Sequence, residues 1–172
     1  MKDMDYSQWS AMTPAEREGY MRNAEGEWRD YVRAHVPGKV LDNAESAAVH
    51  KGLGLYVLGL KGLGHRCGYV ALPAGHPLFR VKYISPDMPD FDVHGGITFS
   101  TLIDGYWVLG WDAIHGGDAP DPALLEGAGD ETRRIILGGV EGHVWTALEA
   151  FEETWRFAEQ LADYGMRAGW KR

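Results

Sequence analysis

The sequence predicts an α+β protein: a small central antiparallel sheet covered by two long terminal helices, in a single domain over residues 1–172. Three observations predict it. Apolar residues recur at three- and four-residue steps near both ends of the chain. Short β-branched and aromatic runs, bounded by glycine and proline, fill the middle. A hydrophobic content of 45% over 172 residues suffices for one sizeable core.

The first helix is expected at about 14–36. Thr13 can cap it, Glu16 can return the bond, and Pro14 suits the first helical position. Met21, Ala24, Trp28, Tyr31 and His35 then share a face, and Pro37-Gly38 ends the run. Residues 39–51 are ambiguous, with Ala44 to His50 compatible with a short helix. A sheet and loop core is expected over about 52–122. Glycines at 52, 54, 59, 62 and 64 surround Leu55-Tyr56-Val57-Leu58, which reads as a strand between tight turns. Gly59-Leu60-Lys61-Gly62 lacks the Ser/Thr that a phosphate loop places after Gly-Lys. Cys67 to Leu72 reads as a strand stopped by Pro73, and a proline-rich crossing runs from Ser85 to Pro89. Asp92 to Ser100 reads as a strand with a glycine bulge. Asp104-Gly105 signals a hairpin into Tyr106 to Trp111, the strongest strand. The last helix is expected at about 142–164, with Trp145, Leu148, Phe151, Trp155, Ala158 and Leu161 on one stripe and Gly165 as its stop. Core packing is the ordinary reading of those tryptophans; their exposure would instead favour a homo-oligomer.

Composition excludes several classes. Cys67 is the only cysteine, so neither an internal disulfide nor a multi-cysteine zinc site can form. No run of 18 apolar residues is present, so no membrane partner is expected. The acidic start Met1-Lys2-Asp3-Met4-Asp5 is not expected to be a secretory signal. A net charge of −8 argues against a nucleic-acid partner. The charge is sorted along the chain: residues 46–86 hold five bases and no acid, whereas residues 87–132 hold ten acids and no Lys or Arg. Opposite signs on adjacent strands can pair across a sheet. They can also form a bipolar cleft that orients a charged ligand.

Five polar features fall near strand ends and glycine turns: His65-Arg66, Gly75-His76-Pro77, His94 to Thr98, Trp111-Asp112, and His115-Gly116-Gly117-Asp118. Alternation places Asp92, His94 and Thr98 on one strand face, with Asp112 near by at the end of the next strand. The run His94-Gly95-Gly96-Ile97-Thr98-Phe99-Ser100, followed by Gly110-Trp111-Asp112-x-x-His115-x-x-Asp118 and preceded by Gly68 to Pro73 and Gly75-His76-Pro77, resembles a family of small, functionally unassigned bacteriophage proteins. The likeness covers about residues 65–120 and extends loosely to Glu149–Leu161. That family often has Gly-Phe-Asp where Gly110-Trp111-Asp112 stands here. The resemblance implies a phage-type accessory protein in the host-cell cytoplasm, and it carries over no activity.

The expected function is binding of a small anionic or nucleotide-like ligand, such as a host defence signal to be sequestered. Glycine turns let backbone N–H groups approach an anion, Arg66, Arg80 and His76 supply positive charge, and Trp111 offers a flat surface. With His94, Thr98, Asp112 and His115 these complete the expected ligand-binding set. No cofactor is called for by this reading. A divalent metal on His94, Asp112, His115 and Asp118, activating water for hydrolysis, is one alternative. Metal-free hydrolysis is another, with His94 as base toward Thr98 or Ser100, or Cys67 as nucleophile. A third is an acidic protein-contact inhibitor using Asp87, Asp90 and Asp92. The same groups can equally form a buried polar network that fixes the fold. His35, His50 and His143 read as ordinary surface or core residues.

Overall fold

The computed structural model describes residues 11, 13, 15–16, 44–50, 55–61, 64–103, 105–138 and 141–170. Five strands form one antiparallel sheet: β1 (Ala44–His50), β2 (Leu55–Lys61), β3 (Arg66–Leu72), β4 (Phe99–Ile103) and β5 (Tyr106–Asp112), in the order β1-β2-β3-β5-β4. A short helix, α1 (Asp130–Leu137), and a long one, α2 (Ala147–Arg167), follow. The α+β expectation therefore holds.

The register across β3 and β5 decides what each sheet face carries. Gly68 stands opposite Trp111, Val70 opposite Leu109 and Leu72 opposite Trp107. Opposed residues share a face, and this face packs against α2, whose Phe151, Trp155, Phe157, Ala158 and Leu161 complete the main core. Burial of each large side chain contributes about 1.5–3 kcal/mol. The other face carries Cys67 opposite Asp112 and Tyr69 opposite Gly110. Gly68 is required on the helix face, because a Cβ there would lie 1.9 Å from Thr154 Oγ1 and 2.1 Å from Trp111 Nε1.

Helix α2 starts later and ends later than its apolar stripe predicts. Thr146 Oγ1 accepts from Glu149 N, and the Glu149 carboxylate accepts from Thr146 N, a complete capping box that fixes the start at Ala147. Gly165 does not stop the helix. It is buried within it, where His76 and Trp170 press so closely that a Cβ would come within 2.9 Å of both. The stop is Gly169, at φ +80, with Trp170 N bonded to Gly165 O and Gly169 N to Met166 O.

Three other expectations change. Residues 44–50 are an edge strand rather than a short helix, so the sheet begins before residue 52. The strand expected at Asp92–Ser100 is a strand only from Phe99, because Gly95 and Gly96 both take positive φ and turn the chain. Helix α1 lies beyond the elements expected from sequence, and it buries no residue. At the N-terminus, Glu16 N donates to Thr13 Oγ1 and Thr13 N to Glu16 Oε2, as expected of a helix start. The rest of the 14–36 helix lies outside the described residues. No described helix is long and apolar enough to cross a membrane.

Candidate functional site

Three loops and the start of α2 meet beyond the ends of β5 and β3. The first loop is the turn Val93–Gly96, closed by Gly96 N donating to Val93 O, and His94 N donates to Glu153 Oε1 of α2 at 2.7 Å. The second follows β5: Asp112 ends the strand, and Asp118 N donates to His115 O to close a turn containing Gly117 at φ +98. The third is the segment before α2. His143 N donates to Gly117 O and Ala119 N to His143 O, a parallel bridge that lays Trp145 beside Asp118.

Asp118 is the centre of the cluster and is only 8% exposed. Its Oδ2 lies 2.8 Å from His94 Nε2 and accepts from His115 N at 2.7 Å, while Oδ1 accepts from Trp145 Nε1 at 2.9 Å. Burial pushes its carboxyl up, but these hydrogen bonds and the His94 charge outweigh it and hold the group below its ordinary value. Asp112 uses Oδ2 to accept from Thr98 Oγ1 at 2.6 Å. Its Oδ1 faces His115 Nδ1 at 3.8 Å, and Asp118 Oδ2 stands 3.9 Å from the same nitrogen. Both distances are too long for hydrogen bonds, so this buried Nδ1 has no hydrogen-bond partner among the described residues. The His115 ring lies against Gly95, where an added Cβ would come within 2.1 Å of it. His94 is held between the indoles of Trp145 and Trp111, with ring centroids 4.6 and 5.9 Å away.

The ligand atoms of His94, His115 and Asp118 lie within 4.8 Å of one another. Ligands about 2.0–2.1 Å from a tetrahedral ion stand about 3.3–3.4 Å apart. The 2.8 Å and 3.9 Å separations around Asp118 bracket that spacing. Two imidazoles and one carboxylate suit zinc, manganese or iron, with a position left for water. The partners of Asp118 and Asp112 would fix the orientation of such ligands.

Of the residues singled out from sequence, the fold brings together His94, Thr98, Trp111, Asp112, His115 and Asp118. Trp111 is a wall rather than an open stacking platform: its indole is buried and donates to Thr154 Oγ1 at 3.1 Å. Arg66 approaches from beneath, but its Nη1 is engaged by Asp121 Oδ2 at 2.6 Å and by Trp145 O. Arg80 does not join the cluster; it is exposed, at φ +69, with its guanidinium over the Phe79 ring. His76 does not join it either. It is buried against the far part of α2, with Nε2 at 3.1 Å from Leu161 O and Nδ1 accepting from Leu78 N. Leu161 is eight residues beyond Glu153, about 12 Å along the helix.

The nucleophiles of the metal-free hydrolytic readings make other contacts. The Thr98 hydroxyl is committed to Asp112, and Ser100 Oγ accepts from Tyr83 N. Cys67 is buried, and burial pushes its thiol up, which disfavours the thiolate. Within the acidic block, Asp112, Asp118 and Asp121 turn inward to partners, Asp92 pairs with Arg156, and Asp87 and Asp90 remain exposed. Sequence reasoning missed Trp145 and Glu153. The signal for Trp145 was Thr146-x-x-Glu149: a cap at Thr146 places Trp145 ahead of the helix, off its apolar stripe.

No family model, no curated protein and no solved structure matches the chain.

Proposed function

We propose that His94, His115 and Asp118 hold a divalent metal ion and that the protein is a metal-dependent hydrolase. The observation that carries this reading is His115 Nδ1, buried without a hydrogen-bond partner among the described residues, between two carboxylate oxygens at 3.8 and 3.9 Å. A buried ring nitrogen left this way calls for an explanation, and a shared cation supplies one. Charge supports the same choice. Asp118 bonds His94 Nε2 and, with Asp112, stands within 4 Å of His115 Nδ1, while Arg66 and Arg156 are engaged by carboxylates. Such a site attracts a cation before an anion. The small anionic or nucleotide-like ligand is retained here only as a molecule bound through the metal.

The ion would lower the pKa of a bound water, and Asp112, held by Thr98, would accept its proton. The likeness of residues 65–120 to phage proteins belongs to this proposal as its setting, an accessory protein at work in a host cell.

Elemental analysis of protein purified without chelator tests the reading. The expected result is close to one equivalent of zinc, manganese or iron, lost in His115→Ala. Added metal should also stabilise stripped protein by about 2.7 kcal/mol at a hundred times its Kd. A stripped protein that takes up none of these ions, with an unmoved melting temperature, overturns the proposal.

A further inference from the structure

We infer that Trp145 is a positioning residue that sets which ion the site prefers, favouring zinc over manganese; this rests on the metal reading above. The two oxygens of Asp118 face different partners. Oδ2 faces the imidazoles, 2.8 Å from His94 Nε2 and 3.9 Å from His115 Nδ1. Oδ1 accepts the Trp145 indole N–H at 2.9 Å. A carboxylate can give an ion one oxygen or both. Giving both would turn Oδ1 toward the ion and strip the part-buried indole N–H of its acceptor, which is unfavourable.

The indole is anchored and does not follow the carboxylate. The Trp145 carbonyl accepts from Arg66 Nη1, which Asp121 Oδ2 also holds. Two residues earlier, His143 N donates to Gly117 O and His143 O accepts from Ala119 N. The ring packs on Trp111 and His143, with centroids 5.2 and 5.5 Å away, and on His94 at 4.6 Å. The same side chain thus steadies one imidazole ligand and holds the carboxylate to a single oxygen. Among the described residues, that leaves a donor set of two ring nitrogens and one oxygen. Imidazole-rich sets with few ligands suit zinc, which settles at four. Manganese favours oxygen donors and six positions, so it loses more by the withheld oxygen. Raw affinity already rises from manganese to zinc, and the indole widens that gap.

The test uses the full chain, stripped with chelator and titrated separately with zinc and with manganese against a competing chromophoric chelator, beside Trp145→Phe. Phenylalanine keeps a ring against Trp111 and His94 and removes the N–H. The expected result is a zinc-to-manganese affinity ratio about tenfold lower in the variant, with zinc weakened and manganese unchanged or tighter. A ratio that is unchanged or higher overturns the inference, whether both affinities fall together or neither moves. X-ray absorption of the zinc-loaded wild type needs no variant. It should show two imidazole nitrogens and one carboxylate oxygen among four ligands, and chelation by both oxygens of a carboxylate overturns the inference. Failure of the wild type to take up either ion overturns the metal reading beneath it.

Discussion

Gly68→Ala should weaken the fold and the candidate site together. The new methyl would lie 1.9 Å from Thr154 Oγ1, 2.1 Å from Trp111 Nε1 and 2.8 Å from Trp111 Cε2. Carbon contacts relax only near 3.5–4.0 Å, so α2 and the indole must separate by about 1.5 Å. Neither has free space: Thr154 is 0% and Trp111 1% exposed. Overpacking of this kind costs about 1–3 kcal/mol. Stretching the bond from Trp111 Nε1 to Thr154 Oγ1 leaves a buried N–H without an acceptor, about 1–3 kcal/mol more. The lower chain entropy of unfolded alanine returns about 0.4–1 kcal/mol. The net loss is about 1–5.5 kcal/mol, a large part of the roughly 5–15 kcal/mol typical of a folded domain. Urea unfolding followed by fluorescence measures it. Trp111 also packs on Trp145, with centroids 5.2 Å apart, and on His94, so metal affinity should fall in the same variant. A loss below about 1 kcal/mol would refute the claim that α2 is seated on this glycine.

Gly95→Ala should lower zinc affinity at least about tenfold, because its Cβ would displace the His115 ring, whereas Gly96→Ala meets nothing within 4 Å and adds only the strain of φ +83; calorimetric titration with zinc separates the two. His76 should make the fold acid-sensitive. Burial pushes its pKa down against the raising effect of the Leu161 carbonyl, so below the unfolded-state value of about 6.5 the unfolded chain binds the extra proton. Stability should therefore decline as pH falls through about 6.5, by up to about 1.4 kcal/mol per pH unit, and His76→Gln should flatten that slope in urea midpoints between pH 7.5 and 5. Arg66→Met should cost about 1.5–3 kcal/mol by removing a charged hydrogen bond from the half-buried Asp121, and Arg66→Met with Asp121→Leu should recover part of it, read as a shift in urea midpoint. Asp121 should itself contribute to acid unfolding. Burial raises its carboxyl, but the Arg66 bond and charge hold it below its ordinary value, so its stabilisation is present above the unfolded value near 3.9 and is lost as pH falls through the folded one. Asp121→Asn should remove that part of the decline.

The parts of the fold readable from sequence are those where one force acts alone. Tyr106 to Trp111 and Cys67 to Leu72 are apolar, β-prone and bounded by breakers, and both are strands of nearly the expected extent. Local pattern fails where tertiary contact decides. Ala44 to His50 has no strong preference and becomes a strand by pairing with β2. Gly165 looks like a helix stop but is needed bare, because His76 and Trp170 pack on it. At the candidate site, His94, Asp112, His115 and Asp118 could be grouped from sequence because glycine turns at the ends of neighbouring strands bring their loops to one end of the sheet. Arg80 and His76 were misplaced because charge alone does not say where a side chain ends. His76 is a neutral ring bridging two backbone groups, a role with no signature in sequence.

The three donors to Asp118 come from residues 94, 115 and 145. Only the middle one is near it along the chain, so closing the other two requires loops whose entropic cost is met only when the sheet and the last helix have docked. A cation therefore cannot be gripped by a nascent or half-folded chain through this set. An ion held there, as proposed, would follow the docking of sheet and helix and report that maturation has finished rather than seed it.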